Sequence, residues 1–174
     1  MSQRKGMIHL YIGRGKGKTT ASLGLALRAA GAGLHVDIIQ FLKGNQSNEF
    51  NSIQKLPNIS IKNFGREKFL TEKNHEPIDE KLAKKGLTYA EKIINEQKCD
   101  ILILDEITIA VAFHLLKKED VIDLLNQKPS NLTIVLTGRI ADEEFISIAD
   151  LVTDLQEIKH PFKQGLKPQA GIDY

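Results

Sequence analysis

Gly13-Arg14-Gly15-Lys16-Gly17-Lys18-Thr19-Thr20 lies between a short apolar run, Met7 to Ile12, and a segment in which Leu23, Ala26, Leu27 and Ala30 recur at helical spacing. Strand, glycine loop and helix follow one another in the order that turns successive backbone N–H groups inward around phosphate oxygens, with the positive end of the helix dipole behind them. In such a loop Lys18 supplies a charge to the phosphates and the Thr19 hydroxyl a ligand for Mg²⁺. A glycine-rich turn with solvated lysines would require neither the strand before it nor the helix after it, and both are present. The spacing from Gly13 to Gly17, GxxxGK, is one residue shorter than the common GxxxxGK[ST], so the usual placement of a triphosphate does not carry over.

The pattern continues outward from this loop. Gly31-Ala32-Gly33 stops the first helix, Val36 to Phe41 reads as a second strand, and Ile59 to Phe64 as a third after the helical Asn48 to Leu56. Pro77, followed by Asp79 and Glu80, opens a long helix that carries Leu82, Tyr89, Ala90, Ile93 and Ile94 and ends before Cys99. Ile101-Leu102-Ile103-Leu104 is continuously apolar, as in a strand buried on both faces of a parallel sheet. Ile107 to Leu116, apolar almost all round, reads as a buried helix. Glu119 to Asn126 is a further helix stopped by Pro129, Leu132 to Thr137 a fifth strand, Asp142 to Ala149 a short helix, and Leu151 to Ile158 a last edge strand before an irregular tail from His160 to Tyr174. This alternation predicts one three-layer α/β domain over residues 1–174 with a mostly parallel sheet. Ligands on such sheets bind at the carboxyl ends of the strands. Those ends carry the glycine loop, Gln40 to Gly44, Phe64 to Phe69, Asp105-Glu106 and Gly138-Arg139, so one contiguous site is expected.

Composition narrows the partners. The 24 Lys plus Arg and 22 Asp plus Glu leave a formal charge of +2, too small to argue for nucleic acid. The single cysteine, Cys99, excludes an internal disulfide framework and a cysteine-rich zinc site, and suits a reducing compartment. The start runs straight into the first strand without the apolar stretch of a signal peptide, and no run approaches the ~18 apolar residues of a membrane span. A cytoplasmic protein is the expectation.

Ile101 to Glu106 has the form of a strand that ends in a metal-binding acid: Asp105 would hold Mg²⁺ with Thr19, directly or through water, and Glu106 lies beside it. Arg139, just past a strand and a glycine, either reaches the phosphates or the acidic edge of a second substrate, or is simply a surface arginine. The histidines His9, His35, His75, His114 and His160 show no HxxxH or HExxH spacing, which argues against metal ligation by them.

These segments together resemble the CobA/CobO/BtuR family of ATP:corrinoid adenosyltransferases over nearly the whole chain. The matching stretches are Gly13 to Thr20, Gln40-Phe41-Leu42-Lys43-Gly44, Leu104-Asp105-Glu106, Thr137-Gly138-Arg139, and the tail Lys159-His160-Pro161-Phe162 through Gly171-Ile172-Asp173-Tyr174. The resemblance implies a RecA-like P-loop NTPase fold, a homodimer, Mg²⁺ or Mn²⁺ with ATP as co-substrate, and a corrinoid reduced to Co(I) by a flavoprotein electron donor. Its cobalt would attack the ribose C5′ and triphosphate would leave. The resemblance further implies that ATP lies reversed in the loop, with its γ-phosphate deepest.

Carried over by position, Gly13, Gly15, Gly17 and Thr20 with Lys16 and Lys18 match phosphate binders, and Thr19 and Glu106 match metal ligands, with Asp105 in support. Catalysis then rests on Lys18, Thr19 and Glu106. Family members often have Asn where this chain has Arg14, which offers a phosphate contact instead. The better-known members place Phe and Trp in the loop after the third strand to help remove the corrinoid's lower axial ligand. This chain has no tryptophan, and Phe64 and Phe69, which flank Gly65 to Lys68, would be the substitutes, or else are aromatics that anchor the core or the loop. A Co(I) nucleophile carries no proton, so the chemistry needs no general base. The competing readings are a small-molecule kinase on the same loop and a non-catalytic ATP-dependent switch.

Overall fold

Six strands, β1 (Ile8–Ile12), β2 (Val36–Phe41), β3 (Ile59–Phe64), β4 (Ile101–Asp105), β5 (Thr133–Thr137) and β6 (Leu151–Asp154), form one sheet in the order β3-β2-β4-β5-β1-β6. Every pairing is parallel, so the sheet expected to be mostly parallel is wholly so. The computed structural model describes residues 4–44, 48–68 and 70–173. The helices that cross between strands are α1 (Lys18–Gly31), α2 (Asn48–Ile53), α3 (Pro77–Glu96), α4 (Ile107–Ala112), α5 (Lys118–Asn126) and α6 (Glu143–Ile148), and a 3₁₀ turn follows at Pro161–Gln164.

Two apolar layers sandwich the sheet, and strand pleat sorts residues between them. In β4, Ile101 and Ile103 pack with Ala26 and Ala29 of α1, while Leu102 and Leu104 pack with Ala83, Leu87 and Ala90 of α3 and with Ile107. Val135 of β5 lies on the α1 side and its neighbours Ile134 and Leu136 on the other. Each such aliphatic side chain contributes about 1.5–3 kcal/mol by leaving water. A one-residue slip would turn all of them to the wrong layer, so the register is strongly specified. On α3 the buried residues Asp79, Ala83, Leu87, Ala90 and Ile94 recur at three- and four-residue spacing, and Glu76 with Asp79 closes a capping box at its start.

Three elements end three or more residues earlier than expected. The apolar run after β4 is helical only to Ala112: His114 turns to φ 57°, and the amides of Leu115 and Leu116 both bond back to the Ala110 carbonyl. Leu115 and Leu116 are nevertheless buried, so apolarity persisted past the helix end. The second helix stops at Ile53 rather than Leu56. β6 ends at Asp154 rather than Ile158, because its partner β1 has run into the glycine loop; there the Leu155 amide bonds to Ile12 and the Leu155 carbonyl accepts from Gly15. Among the described residues no helix is long and apolar enough to cross a membrane.

Candidate functional site

The same alternation that buries Ile101 and Ile103 on the α1 side brings Asp105 to that side at the carboxyl edge of the sheet. Gln40 follows Val36 and Ile38 in β2, and Thr137 follows Thr133 and Val135 in β5, in the same phase. Register aligns Gln40 with Asp105 and Leu104 with Leu136, so the three polar residues form a row opposite the start of α1. Asp105 is 1% exposed and accepts from every side. Thr137 Oγ1 donates to Oδ1 at 2.7 Å, Thr19 Oγ1 to Oδ1 at 2.9 Å, Lys43 Nζ to Oδ2 at 2.8 Å and Gln40 Nε2 to Oδ2 at 3.1 Å. Burial pushes the Asp105 carboxyl up, but the Lys43 charge and the hydrogen bonds from Lys43, Thr137 and Thr19 outweigh it and hold it below the usual carboxylate range.

The glycine loop wraps the N-terminus of α1. Gly13 has φ 108°, and a Cβ there would lie 2.2 Å from Asp154 Oδ1, so only glycine fits. No side chain caps the first turn of α1 and no acidic residue occupies it, which leaves its amides and positive dipole facing the loop. Lys18 is 8% exposed, and its ammonium donates to the carbonyls of Gly13 (2.6 Å) and Gly15 (2.7 Å). Its pKa is lowered by burial, with Glu106 acting in the opposite sense. Lys16 donates to the Ile172 carbonyl at 2.7 Å and pairs with the Asp173 carboxylate, so the tail lies against the loop. Thr20 faces solvent.

Glu106 caps α4 in the left-handed region, φ 64°, an unusual setting for a non-glycine residue and one that recurs at functional sites. Its amide donates to Thr137 Oγ1 at 2.9 Å. Burial, and then the Asp105 charge, raise the Glu106 pKa, against the pull of Lys43, Lys18 and Arg139. The Thr19 hydroxyl and the Asp105 and Glu106 carboxylates are hard oxygen donors, and Gln40 Oε1 is buried beside them without a hydrogen-bond partner. That set fits Mg²⁺ or Mn²⁺. Among the described residues no group of three or more His, Cys, Asp or Glu could hold a metal by itself, so water and phosphate oxygens must complete the shell, as Mg²⁺ prefers. Arg14 and Arg139 line a cavity of about 770 Å³ with Ile12, Gly13, Ile140 and Asp154. A second hollow of about 550 Å³, on the outer face of α3 around Lys81 and Lys84, contains none of the motif residues.

At the end of β3 the Phe64 ring is half-buried against Tyr89, 5.8 Å between centroids, and lies beside Gly86 of α3. Phe69 lies outside the described residues. The loop that joins them is pinned by Arg66, which donates from Nε and Nη2 to both oxygens of Asp79 at 2.7 and 2.6 Å. Asp79 is buried, and the Arg66 hydrogen bond outweighs that burial and holds its carboxyl below the usual range. A depressed native pKa stabilises the fold above the unfolded value, roughly 3.9, and that contribution disappears as pH falls through the native value. Asp79→Asn is therefore expected to cost about 1.5–3 kcal/mol at pH 7, the worth of hydrogen bonds to a charged group, with the deficit shrinking below about pH 4. Urea unfolding at pH 7 and near pH 3 measures it; an equal deficit at both would dismiss the charge-based clamp.

The structure thus gathers Gly13, Gly15, Gly17, Lys18, Thr19, Asp105 and Glu106 at one edge of the sheet, with Arg14 and Arg139 on the adjoining cavity. Sequence reasoning assigned no role to Gln40, Lys43, Thr137 or Asp173. Their position at strand ends and in the tail was visible; the phase that turns the first three onto Asp105 was not.

A model of the ATP:corrinoid adenosyltransferase family BtuR/CobO/CobP matches residues 4–174. A corrinoid adenosyltransferase of Escherichia coli is 34% identical over 170 residues, covering 98% of this chain and 86% of that protein. Another, from Salmonella typhimurium, is 33% identical over 172 residues, covering 99% and 87%. Among solved structures, a KaiC-like protein from Pyrococcus horikoshii aligns with a TM-score of 0.57 at 19% identity, over 89% of this chain and 75% of its own. That likeness is one of fold, the RecA-like arrangement anticipated above.

Proposed function

The chain belongs to the ATP:corrinoid adenosyltransferase family BtuR/CobO/CobP, and on that premise we propose how its site works. The protein is a transferase that adenosylates corrinoids with ATP. The observation that carries the reading is the short loop with its buried Lys18, set against the Thr19–Asp105 pair. Gly13, Arg14, Gly15, Lys16, Gly17, Lys18, Thr20 and Arg139 hold the polyphosphate. Thr19 and Glu106, supported by Asp105, hold Mg²⁺ or Mn²⁺, which when bound offsets charge on the phosphates. ATP lies with its γ-phosphate deepest, so that C5′ faces the corrinoid.

The reaction is an in-line displacement. The Co(I) electron pair forms the Co–C5′ bond, the C5′–O bond breaks, and its pair leaves with triphosphate. No proton moves, so these residues contribute positioning and charge stabilisation. Phe64, at the end of β3, and Phe69 are the residues assigned to corrinoid binding. A reduced flavoprotein in the cytoplasm supplies the electron that makes Co(I). The exposed edge strand β6, with Leu151 and Val152, offers the unpaired edge and apolar surface that a homodimer would cover.

With γ-labelled ATP and reduced corrinoid, the label is expected to appear as tripolyphosphate in step with adenosylcorrinoid. A kinase or ATPase instead brings its acceptor to the γ-phosphorus. Label recovered chiefly as orthophosphate, or on an acceptor hydroxyl with equal ADP, would overturn the reading.

A further inference from the structure

Every lysine of the site rests on an internal oxygen: Lys18 on the Gly13 and Gly15 carbonyls, Lys16 on Asp173 and the Ile172 carbonyl, and Lys43 on Asp105. Lys43 is the distinctive one. Its Nζ stands 2.8 Å from Asp105 Oδ2 and 3.3 Å from Thr19 Oγ1. Those two residues belong, with Glu106, to the metal position, and an ammonium and a divalent cation on the same oxygens repel strongly. One must yield to the other.

The backbone beneath Lys43 is fixed. Leu42 turns at φ 64° with its amide on the Phe64 carbonyl at 3.2 Å. A Cβ on Gly65 would lie 2.3 Å from the Lys43 nitrogen, and one on Gly44 2.2 Å from the Arg66 carbonyl carbon, so the two loops interlock backbone to backbone. Movement is therefore left to the side chain, which is 34% exposed and ends in a flexible four-carbon stem. Gln40 and Thr137 remain on Asp105 when the ammonium departs.

We propose that Lys43 is a stand-in cation and a polyphosphate-binding residue: its ammonium holds the metal position between Thr19 and Asp105, then passes to the polyphosphate when metal and nucleotide arrive. The inference rests on the reading of this edge as a metal-polyphosphate centre. It explains how a buried Asp105 is never left without a counter-charge, a condition that is costly in a protein interior. It also gives the departing triphosphate one more cation beyond those of the loop.

The test uses acetylation of lysines in the wild-type chain, read by mass spectrometry, with Lys98, 79% exposed and just before β4 at the opposite edge of the sheet, as the internal reference. Mn²⁺ alone should raise labelling of Lys43 relative to Lys98, and Mn²⁺ with tripolyphosphate should suppress it again. In parallel, Mn²⁺ binding without nucleotide is measured by electron paramagnetic resonance. Lys43→Gln should bind Mn²⁺ about fivefold or more tightly than wild type, because its competitor is gone, whereas Lys43→Arg should not. Labelling of Lys43 indifferent to Mn²⁺, labelling that tripolyphosphate does not suppress, or unchanged Mn²⁺ affinity in a folded Lys43→Gln would each overturn the proposal. The labelling arm stands even if that variant does not fold. No corrinoid enters these measurements, so their failure is distinct from a failure to form adenosylcorrinoid.

Discussion

Lys18→Ala is expected to lower adenosyl transfer by roughly 10²-fold or more, the scale seen when one preorganised charge or donor is removed from a site that stabilises a developing anion. Lys18 is the residue best placed for that role. It follows the last glycine of the loop, opens α1, and is 8% exposed, so its charge acts where water screens little. Its present partners are two backbone carbonyls, which a phosphate oxygen can replace with a stronger, charge-assisted bond. The loss should fall on kcat more than on KM for ATP, because the charge on the triphosphate grows as the C5′–O bond breaks. Since Lys18 also ties Gly13 to Gly15, the melting temperature must be measured alongside. Near-wild-type turnover in a folded variant would remove Lys18 from the mechanism.

Asp105→Asn is expected to damage both stability and activity. The carboxylate is acceptor-only and receives Thr19, Thr137, Gln40 and Lys43. An amide presents a donor to one side of that ring; the threonine hydroxyls can rotate and the Gln40 amide can flip to meet it, but the Lys43 ammonium, which has no acceptor, cannot. Lys43 also loses its counter-charge. Breaking a buried ion pair costs about 3–5 kcal/mol, and the partial exposure of Lys43 reduces this to about 2–3 kcal/mol. For a domain of 174 residues that corresponds to a melting temperature lower by roughly 4–12 °C. Turnover should fall by roughly 10²-fold, since Thr19 and Glu106 lose the group that positions them around the metal. A melting temperature within about 2 °C of wild type would show that the ring of donors re-forms around the amide, and near-wild-type turnover would remove Asp105 from the positioning of Thr19 and Glu106.

Much of this was legible in the chain. The glycine loop declares itself because strand, turn and helix signals are local and each has one physical reading: glycines where φ is positive, an uncapped helix start, and a lysine at its first position. The continuous apolar run Ile101 to Leu104 equally has few homes other than the middle of a parallel sheet, and β4 is the third of six strands. Boundaries were less legible. Leu115 and Leu116 are as apolar as their helical neighbours, and only the left-handed turn at His114 separates them.

The loop, the order of strands and helices, the acid at the end of β4 and, through segments spread along the chain, the family were all legible in the residues alone. Those features depend on neighbours a few residues apart, where hydrogen-bonding geometry and apolar periodicity act directly. Tertiary structure alone decided the surroundings of Asp105. Gln40, Lys43 and Thr137 are separated from it by 65, 62 and 32 residues, and they meet it because β2 and β5 flank β4 in one register and one pleat phase. Nothing local to Gln40 or Thr137 fixes which face of the sheet it takes. That choice follows from burying Ile38, Ile103 and Val135 together against α1, a cost shared by the whole layer, and the polar residues at the strand ends are carried to the site by it.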